Sequence, residues 1–496
     1  MRKRIIALFQ AVIILTSFVA CKSNKEPEYS TFESIITITE SDETGNAGDN
    51  NNSTGGSNAE ASASQSVSQS VSGGEVDSSS NNKKAESVAN LNFGGKTIKM
   101  AITNDKTPTE SNKKMFSDFE KAYNCKLSYD VIDFGNFLKT ISAKLAGNQP
   151  YDIIYFHGSF FPTSVINRLL QPLDGAIAEE DKYNASNPNK GGIDMNKTDF
   201  YLWNNRHYGV AGQNDINVPL CYYNKQKFKD AGLEDPYELY KKGAWTWDKF
   251  IEMGRRVTNA SKKIYFTDAA IKGNLVPSFG GSFVKYNSPT DVKENTSDPK
   301  IFNALKLLQE MSVGQNKIIN TGAGNSSDAS EFLAGNTYLY VSEDIRYSAT
   351  ISPAIIDKGR LGGNVDNVGI CPIPLGGGNT SYPGNFVQGV GSMRGSSDIR
   401  YAVAFAYFRA NWKDTVNDKY QLPEYARNLV NELTANPNIS INHLGYDTND
   451  GTGNSSVVQR CHFITQAVMN GDDITKTLNK YKGSIQNAID VTLKKK

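Results

Sequence analysis

Between Lys96 and Phe156 the chain alternates short apolar runs with amphipathic stretches, and this alternation constrains its fold more than any other feature. Lys96-Thr97-Ile98-Lys99-Met100-Ala101-Ile102 reads as a strand. A polar turn, Asn104 to Pro108, separates it from a helix carrying Met115, Phe116, Phe119 and Tyr123 on one face. A second strand, Lys126 to Ile132, precedes a helix from Asn136 to Leu145. The third run, Tyr151-Asp152-Ile153-Ile154-Tyr155-Phe156, is apolar in the manner of a strand buried on both faces of a parallel sheet. Strand and helix in turn imply βαβ units and an open α/β sheet, whose ligands bind beyond the carboxyl ends of the strands. The loops Thr103 to Pro108 and His157 to Phe161 are therefore expected to face one cleft.

The chain has 496 residues, but not all of them suit a folded body. Met1-Arg2-Lys3-Arg4, the apolar stretch from Ile5 to Leu15 and Phe18-Val19-Ala20-Cys21 are the parts of a secretory signal, and the apolar part is short for a membrane span. The segment resembles the lipobox of bacterial lipoproteins, with Phe18 where Leu is usual. Cleavage after residue 20 would leave Cys21 to carry acyl chains, each buried methylene contributing ~0.8 kcal/mol to membrane attachment. Residues 21–92 are rich in Ser, Asn, Gly, Glu and Asp, too poor in apolar surface to offset the entropy of ordering, and read as a tether. From Lys22 to Asn92 four lysines stand against eleven acidic residues, so the remainder is mildly basic but without a long basic run, which argues against nucleic-acid binding.

The part from Phe93 onward spans about 400 residues, more than one hydrophobic core usually serves, so two lobes are expected. After Cys21 only Cys125, Cys221, Cys371 and Cys461 remain, without a Cys-x-x-Cys pair. A zinc site is not expected, and the four are read either as unpaired core thiols, the favoured reading, or as up to two disulfides. Tyr208 to Ala211 and Val218 to Lys225 read as extended pieces around the polar linker Gly212 to Asn217. Trp245-Thr246-Trp247-Asp248 reads as a helix start with Thr246 or Asp248 as cap and the tryptophans as packing residues, as are Trp203 and Trp412.

Tyr151 to Ile154 with Leu169-Leu170-Gln171-Pro172-Leu173-Asp174, then Tyr222-Tyr223-Asn224-Lys225 through Ala231-Gly232-Leu233, Trp245 to Phe250, Phe332 to Ser342 and the helical stretch Gly471 to Leu493 follow one another in a recognisable order. In that order they resemble the bacterial extracellular solute-binding proteins (family 1) of carbohydrate ABC transporters, the maltose-binding-protein class, although Tyr338-Leu339 departs from its usual Ala-Met. The resemblance implies an α/β, two-lobed periplasmic-binding-protein-like fold with hinge crossings and an interlobe cleft. Lobe one would comprise 93–212 plus 394–435, lobe two 218–389 plus 436–496, with hinges near 213–217, 390–393 and 436. Gly384, Gly389 and Gly391 are expected to supply unusual backbone angles in the returning hinge strand.

A sugar needs an aromatic plate for its C–H face and polar side chains for its hydroxyl edge. Matching the family's cleft loops implies Asn104 and Asp105 from the first loop and His157, Ser159 and Phe160 from the loop after the third strand. The hinge would give Asp215 and Asn217, and lobe two Asp268, Glu343, Asp344 and Arg346, with Phe386 at the return strand and Tyr446 in the C-terminal loop. Each has a plainer reading: Asp105 as a helix cap, Phe160 as core, His157 as a structural histidine, and Glu343, Asp344 and Arg346 as a surface ion network. The resemblance implies a monomeric binding protein, not an enzyme, without cofactor or metal. It would be lipid-anchored on the extracytoplasmic face of the cell membrane and would deliver a carbohydrate, an oligosaccharide on the favoured reading, to the permease of an ABC importer. The rivals are a sensory sugar-binding protein serving a membrane kinase and a surface glycan hydrolase, which would need two carboxylates across the scissile bond.

Overall fold

The computed structural model describes residues 87–103, 109–185, 193, 198–211, 215–322, 329–344, 347–384, 386–413, 415–416, 419–435, 440–441 and 457–494. The signal, Cys21 and nearly all of the expected tether lie outside the described residues. So do residues 213–214 of the first hinge and the third hinge at 436.

The alternation seen in the sequence forms as expected: β1 (Lys96–Thr103), α1 (Glu110–Ala122), β2 (Cys125–Ile132), α2 (Phe137–Ala146) and β3 (Ile153–His157). β1 pairs in parallel with both β2 and β3. Two further strands complete this sheet: β4 (Ile216–Asn217) and, much later in the chain, the return strand Phe386–Gly391, which is antiparallel to β3 and to β4. Helices cover both faces. Ile98, Met100 and Ile102 pack with Phe116 and Phe119 of α1 and with Phe405 of the later helix Arg400–Asn411. Ala101, Ile154 and Phe156 face the other way, with Phe137 and Ile141 of α2. The period-2 alternation of a strand is what sends these neighbours to opposite layers.

After β4 the chain builds a second sheet around β5 (Pro219–Asn224), followed by α3 (Trp247–Val257), α4 (Lys272–Ser278) and α5 (Pro299–Ser312). β5 is flanked by β6 (Leu339–Glu343) and β7 (Val368–Pro372), both antiparallel to it. The return strand is β8, and after it come α6 (Arg400–Asn411), α7 (Glu424–Ala435), α8 (Val457–Met469) and α9 (Ile474–Thr492). Cys221, Tyr223, Leu339, Val341 and Cys371 on one face of the second sheet share a core with Phe250, Leu308, Ile464 and Ile489 from α3, α5, α8 and α9. All four described cysteines are free, and Cys221 lies directly opposite Cys371.

The start of α3 follows its sequence signal closely. Thr246, rather than Asp248, is the cap: its hydroxyl accepts from the Lys249 amide at 3.2 Å. Trp245 and Phe250 bracket the cap with ring centroids 5.8 Å apart, a hydrophobic staple. The Trp245 indole donates to the Pro372 carbonyl at 2.9 Å, so the staple also ties the helix to β7. Trp203 is buried and Trp412 donates to Asp118 at 3.0 Å, both in packing roles.

Two expectations change. Gly389 and Gly391 do not have the positive φ expected of a glycine hinge. Their reason is room: a Cβ on Gly389 would meet the Tyr201 ring at 2.5 Å, and one on Gly391 the Tyr208 carbonyl at 2.9 Å. Helix α7, expected with lobe one, packs its Leu429 and Leu433 in the cluster that holds Tyr222, Tyr340 and Ile370 of the second sheet, with Tyr425 against Tyr237 at 5.4 Å.

Candidate functional site

Strand register brings five of the candidates, from both halves, onto one continuous edge. At the carboxyl end of β3, His157 lies opposite Gln388 of β8, and two residues further along β8 Phe386 lies opposite Asn217 of β4. Asn217 leads into Val218, whose amide donates to the Asp344 carboxylate at 3.0 Å and whose carbonyl accepts from the Asp344 amide at 2.9 Å. One residue further, Pro219 is paired with Glu343 at the end of β6. His157, Phe386, Asn217, Asp344 and Glu343 are thus linked through backbone pairings that cross from the first sheet to the second.

The aromatic component is at the first-sheet end. His157 is half-buried; its Nδ1 lies 2.7 Å from the Ser159 hydroxyl and accepts from the Ser159 amide at 3.2 Å. Phe160 is buried between Phe134, at 4.7 Å, and Phe137, at 4.5 Å, so its plainer reading as core describes its surroundings. Phe134 is 36% exposed and meets the His157 ring edge-on at 5.3 Å. Sequence reasoning passed over Phe134, although it sits just beyond β2, where the strand-end rule places ligand loops. Its exposed face is the available plate beside a polar imidazole.

Asp215 has a different setting from that of an open cleft carboxylate. Its side chain is 1% exposed and forms an ion pair with Arg409 of α6, whose guanidinium also lies 4.6 Å from the centre of the Tyr155 ring. The Tyr155 hydroxyl donates to the Gln388 side chain, and the Gln388 amide donates to the Asp215 carbonyl at 2.6 Å. Burial works against the Arg409 charge, but Asp215 outweighs it and the guanidinium is held above its ordinary range. Burial likewise pushes the Tyr155 hydroxyl up to about 12. This cluster fastens together β3, β8, α6 and the first crossing. Arg409, Tyr155 and Gln388 were missed because nothing local in the sequence marks a partner more than 190 positions away.

In the second half, Asp268 is fully buried and its carboxylate accepts from the Ala270 amide at 3.0 Å, capping a short 3-10 turn. Glu343 and Asp344 are half-buried, and the Tyr222 hydroxyl donates to both of their carbonyls, at 2.9 and 3.2 Å. Asn104, Asp105, Arg346 and Tyr446 lie outside the described residues, and of Phe386 only the backbone is described. Among the described residues no group of three or more His, Cys, Asp or Glu side chains is arranged to hold a metal, and no helix is long and apolar enough to cross a membrane.

The sequence profile of the bacterial extracellular solute-binding proteins matches residues 105–431. The chain belongs to that family. Solved structures agree on the fold. An ABC substrate-binding protein of Listeria monocytogenes, in complex with cycloalternan, superposes with a TM-score of 0.55 over 80% of this chain and 99% of its own at 19% identity. The extracellular solute-binding protein of Staphylococcus aureus, in complex with maltose, gives 0.58 over 80% and 98% at 13% identity. The galacto-N-biose/lacto-N-biose I-binding protein of the Bifidobacterium longum ABC transporter gives 0.57 over 81% and 98%, also at 13% identity. No curated protein matches the chain in sequence. This solute-binding protein therefore has the two-lobed α/β architecture that the sequence resemblance implied.

Proposed function

We propose that this solute-binding protein captures a carbohydrate, an oligosaccharide by preference, between its two lobes and hands it unaltered to the permease of an ABC importer. Lipid-modified Cys21 would hold it on the extracytoplasmic face of the membrane, with residues 21–92 as tether. The observation that carries the proposal is the joined edge from Phe134 and His157 through Asn217 to Asp344 and Glu343. It offers one exposed aromatic plate and several polar groups contributed by both sheets, the combination a sugar ring requires. A ligand touching both halves favours the closed form by its differential affinity for it, and that difference is the whole driving force for closure. In this reading Asp215 serves the hinge through Arg409, while Glu343 and His157 serve the ligand. Lobe one carries the first sheet and lobe two the second, with crossings at 213–217, at β8 and, since α7 packs on the second sheet, ahead of α7 rather than near 436.

The supporting comparison is with relatives solved with maltose and cycloalternan bound. A melting-temperature screen against neutral mono- and oligosaccharides tests the proposal. Stabilisation by at least one glycan, reduced in Glu343→Gln and His157→Ala without loss of the unliganded melting temperature, is the expected result. Uniform silence across the panel would refute carbohydrate as the ligand class.

A further inference from the structure

A pocket lies inside the second half, and none of the cleft candidates lines it. Its walls are α4 and α8, and Gly281 to Phe283 form its floor. The cavity measures about 80 Å³. A water needs roughly 10–15 Å³ on the same measure, so the space admits a compact organic group rather than one solvent molecule. Most of the lining is apolar, supplied by Val276, Pro277, Phe283 and Val458, and among the described residues no Asp or Glu contributes to it.

Into this setting the chain places Lys272, only 5% exposed. Its ammonium has three N–H donors, and one goes to the Gln466 side-chain carbonyl at 3.0 Å. Lys272 has no carboxylate partner within ion-pair distance among the described residues. Burying a lone ammonium is costly unless a countercharge or matched acceptors accompany it. Among the described residues the one acceptor is a neutral amide on α8, one turn after His462, which also lines the pocket. Burial, and next the proximity of Lys272, holds the His462 ring below the ordinary histidine range, so the imidazole is neutral near pH 7. Among the described lining residues Lys272 is thus the one ammonium, set in a mostly apolar frame, and burial draws its pKa below the ordinary lysine value.

We propose that this pocket binds a monocarboxylate, with the carboxylate on Lys272 and the body of the ligand against Val276, Phe283 and Val458. One cation matches one negative charge, whereas a doubly charged phosphate or sulfate would stay half compensated. The carboxylate could belong to a free small acid or to a uronic-acid residue. The two sources share the same anchor.

Titration calorimetry on the purified protein at pH 7, with galacturonate, acetate and galactose as probes, distinguishes them. Galacturonate is expected to bind, at least ten-fold more weakly in Lys272→Met and within three-fold of normal in Lys272→Arg. Acetate matching galacturonate would assign the pocket to simple acids; a clear preference for galacturonate would assign it to acidic sugars. A second variant guards against misfolding. A Cβ on Gly273 meets nothing within 4 Å, and this residue lines the pocket within helix α4, so Gly273→Leu fills the cavity while keeping Lys272. It is expected to abolish carboxylate binding. Galacturonate and acetate both failing to bind, or binding unchanged in Lys272→Met and Gly273→Leu, overturns the proposal. Neutral-glycan stabilisation persisting in that event would leave the cleft reading intact, so the two fail separately.

Discussion

Arg409 sits where the first crossing, the return strand and the first sheet meet, and its pairing with Asp215 decides how that junction behaves. Removing one partner from a buried pair strands the other charge, at a cost of about 3–5 kcal/mol, less here because the Arg409 side chain is 18% exposed. Asp215→Asn is therefore expected to lower the urea midpoint of unfolding markedly. An unchanged midpoint would mean that Asp215 faces the ligand instead of the hinge. Phe134 should behave in the opposite way. Its ring is exposed, so Phe134→Ala is expected to leave the melting temperature within about a degree while weakening glycan affinity by ~2–10-fold, the range of one aromatic contact. Calorimetric titration of the stabilising glycan measures this. His462 supplies a pH signature. Its folded pKa lies below the ordinary 6.5 through burial and then Lys272, so the unfolded chain binds more protons as pH falls below that value. Stability is full above about pH 6.5 and declines below it, and His462→Gln should flatten that part of the denaturation profile.

The elements that sequence revealed best were those whose signal is local. Strands β1 to β3 and the helices between them appear within about two residues of where apolar periodicity put them, and the staple at α3 formed as the Trp245 to Phe250 pattern implied. The hinge was less legible because its constraints come from distant residues. Gly389 is a glycine because Tyr201 occupies the space a side chain would take, not because its backbone turns unusually. Likewise α7 sits against Tyr237 and the second sheet by virtue of Tyr425, a pairing no local pattern announces. At the site, the strand-end rule located the neighbourhood of His157, but it could not separate a buried Phe160 from an exposed Phe134. Gly389→Ala tests the packing account of the return strand. Overfilling a well-packed site costs roughly 1–3 kcal/mol, so the melting temperature should drop by several degrees, and Tyr201→Phe combined with it should restore little, since the ring carbons clash as well as the hydroxyl. An unperturbed Gly389→Ala would reinstate conformational freedom as the reason for the glycine.

At the scale of the whole molecule, one apolar cluster runs from Phe156 and Phe160 of the first sheet through Ile216 and Val218 at the crossing to Tyr222 and Tyr340 of the second. The two halves are thus joined by packed side chains as well as by chain crossings, which suits a hinge with few stable positions better than a loose tether between lobes. The proposed function is that of a molecule that closes on its guest and lets it go unchanged. The most direct measurement is calorimetric titration with the stabilising glycan, followed by denaturation of the complex and chromatography of the released sugar. The account predicts one glycan per chain, recovered intact in the amount bound. Shortened products, or no saturable binding to any carbohydrate, would contradict it.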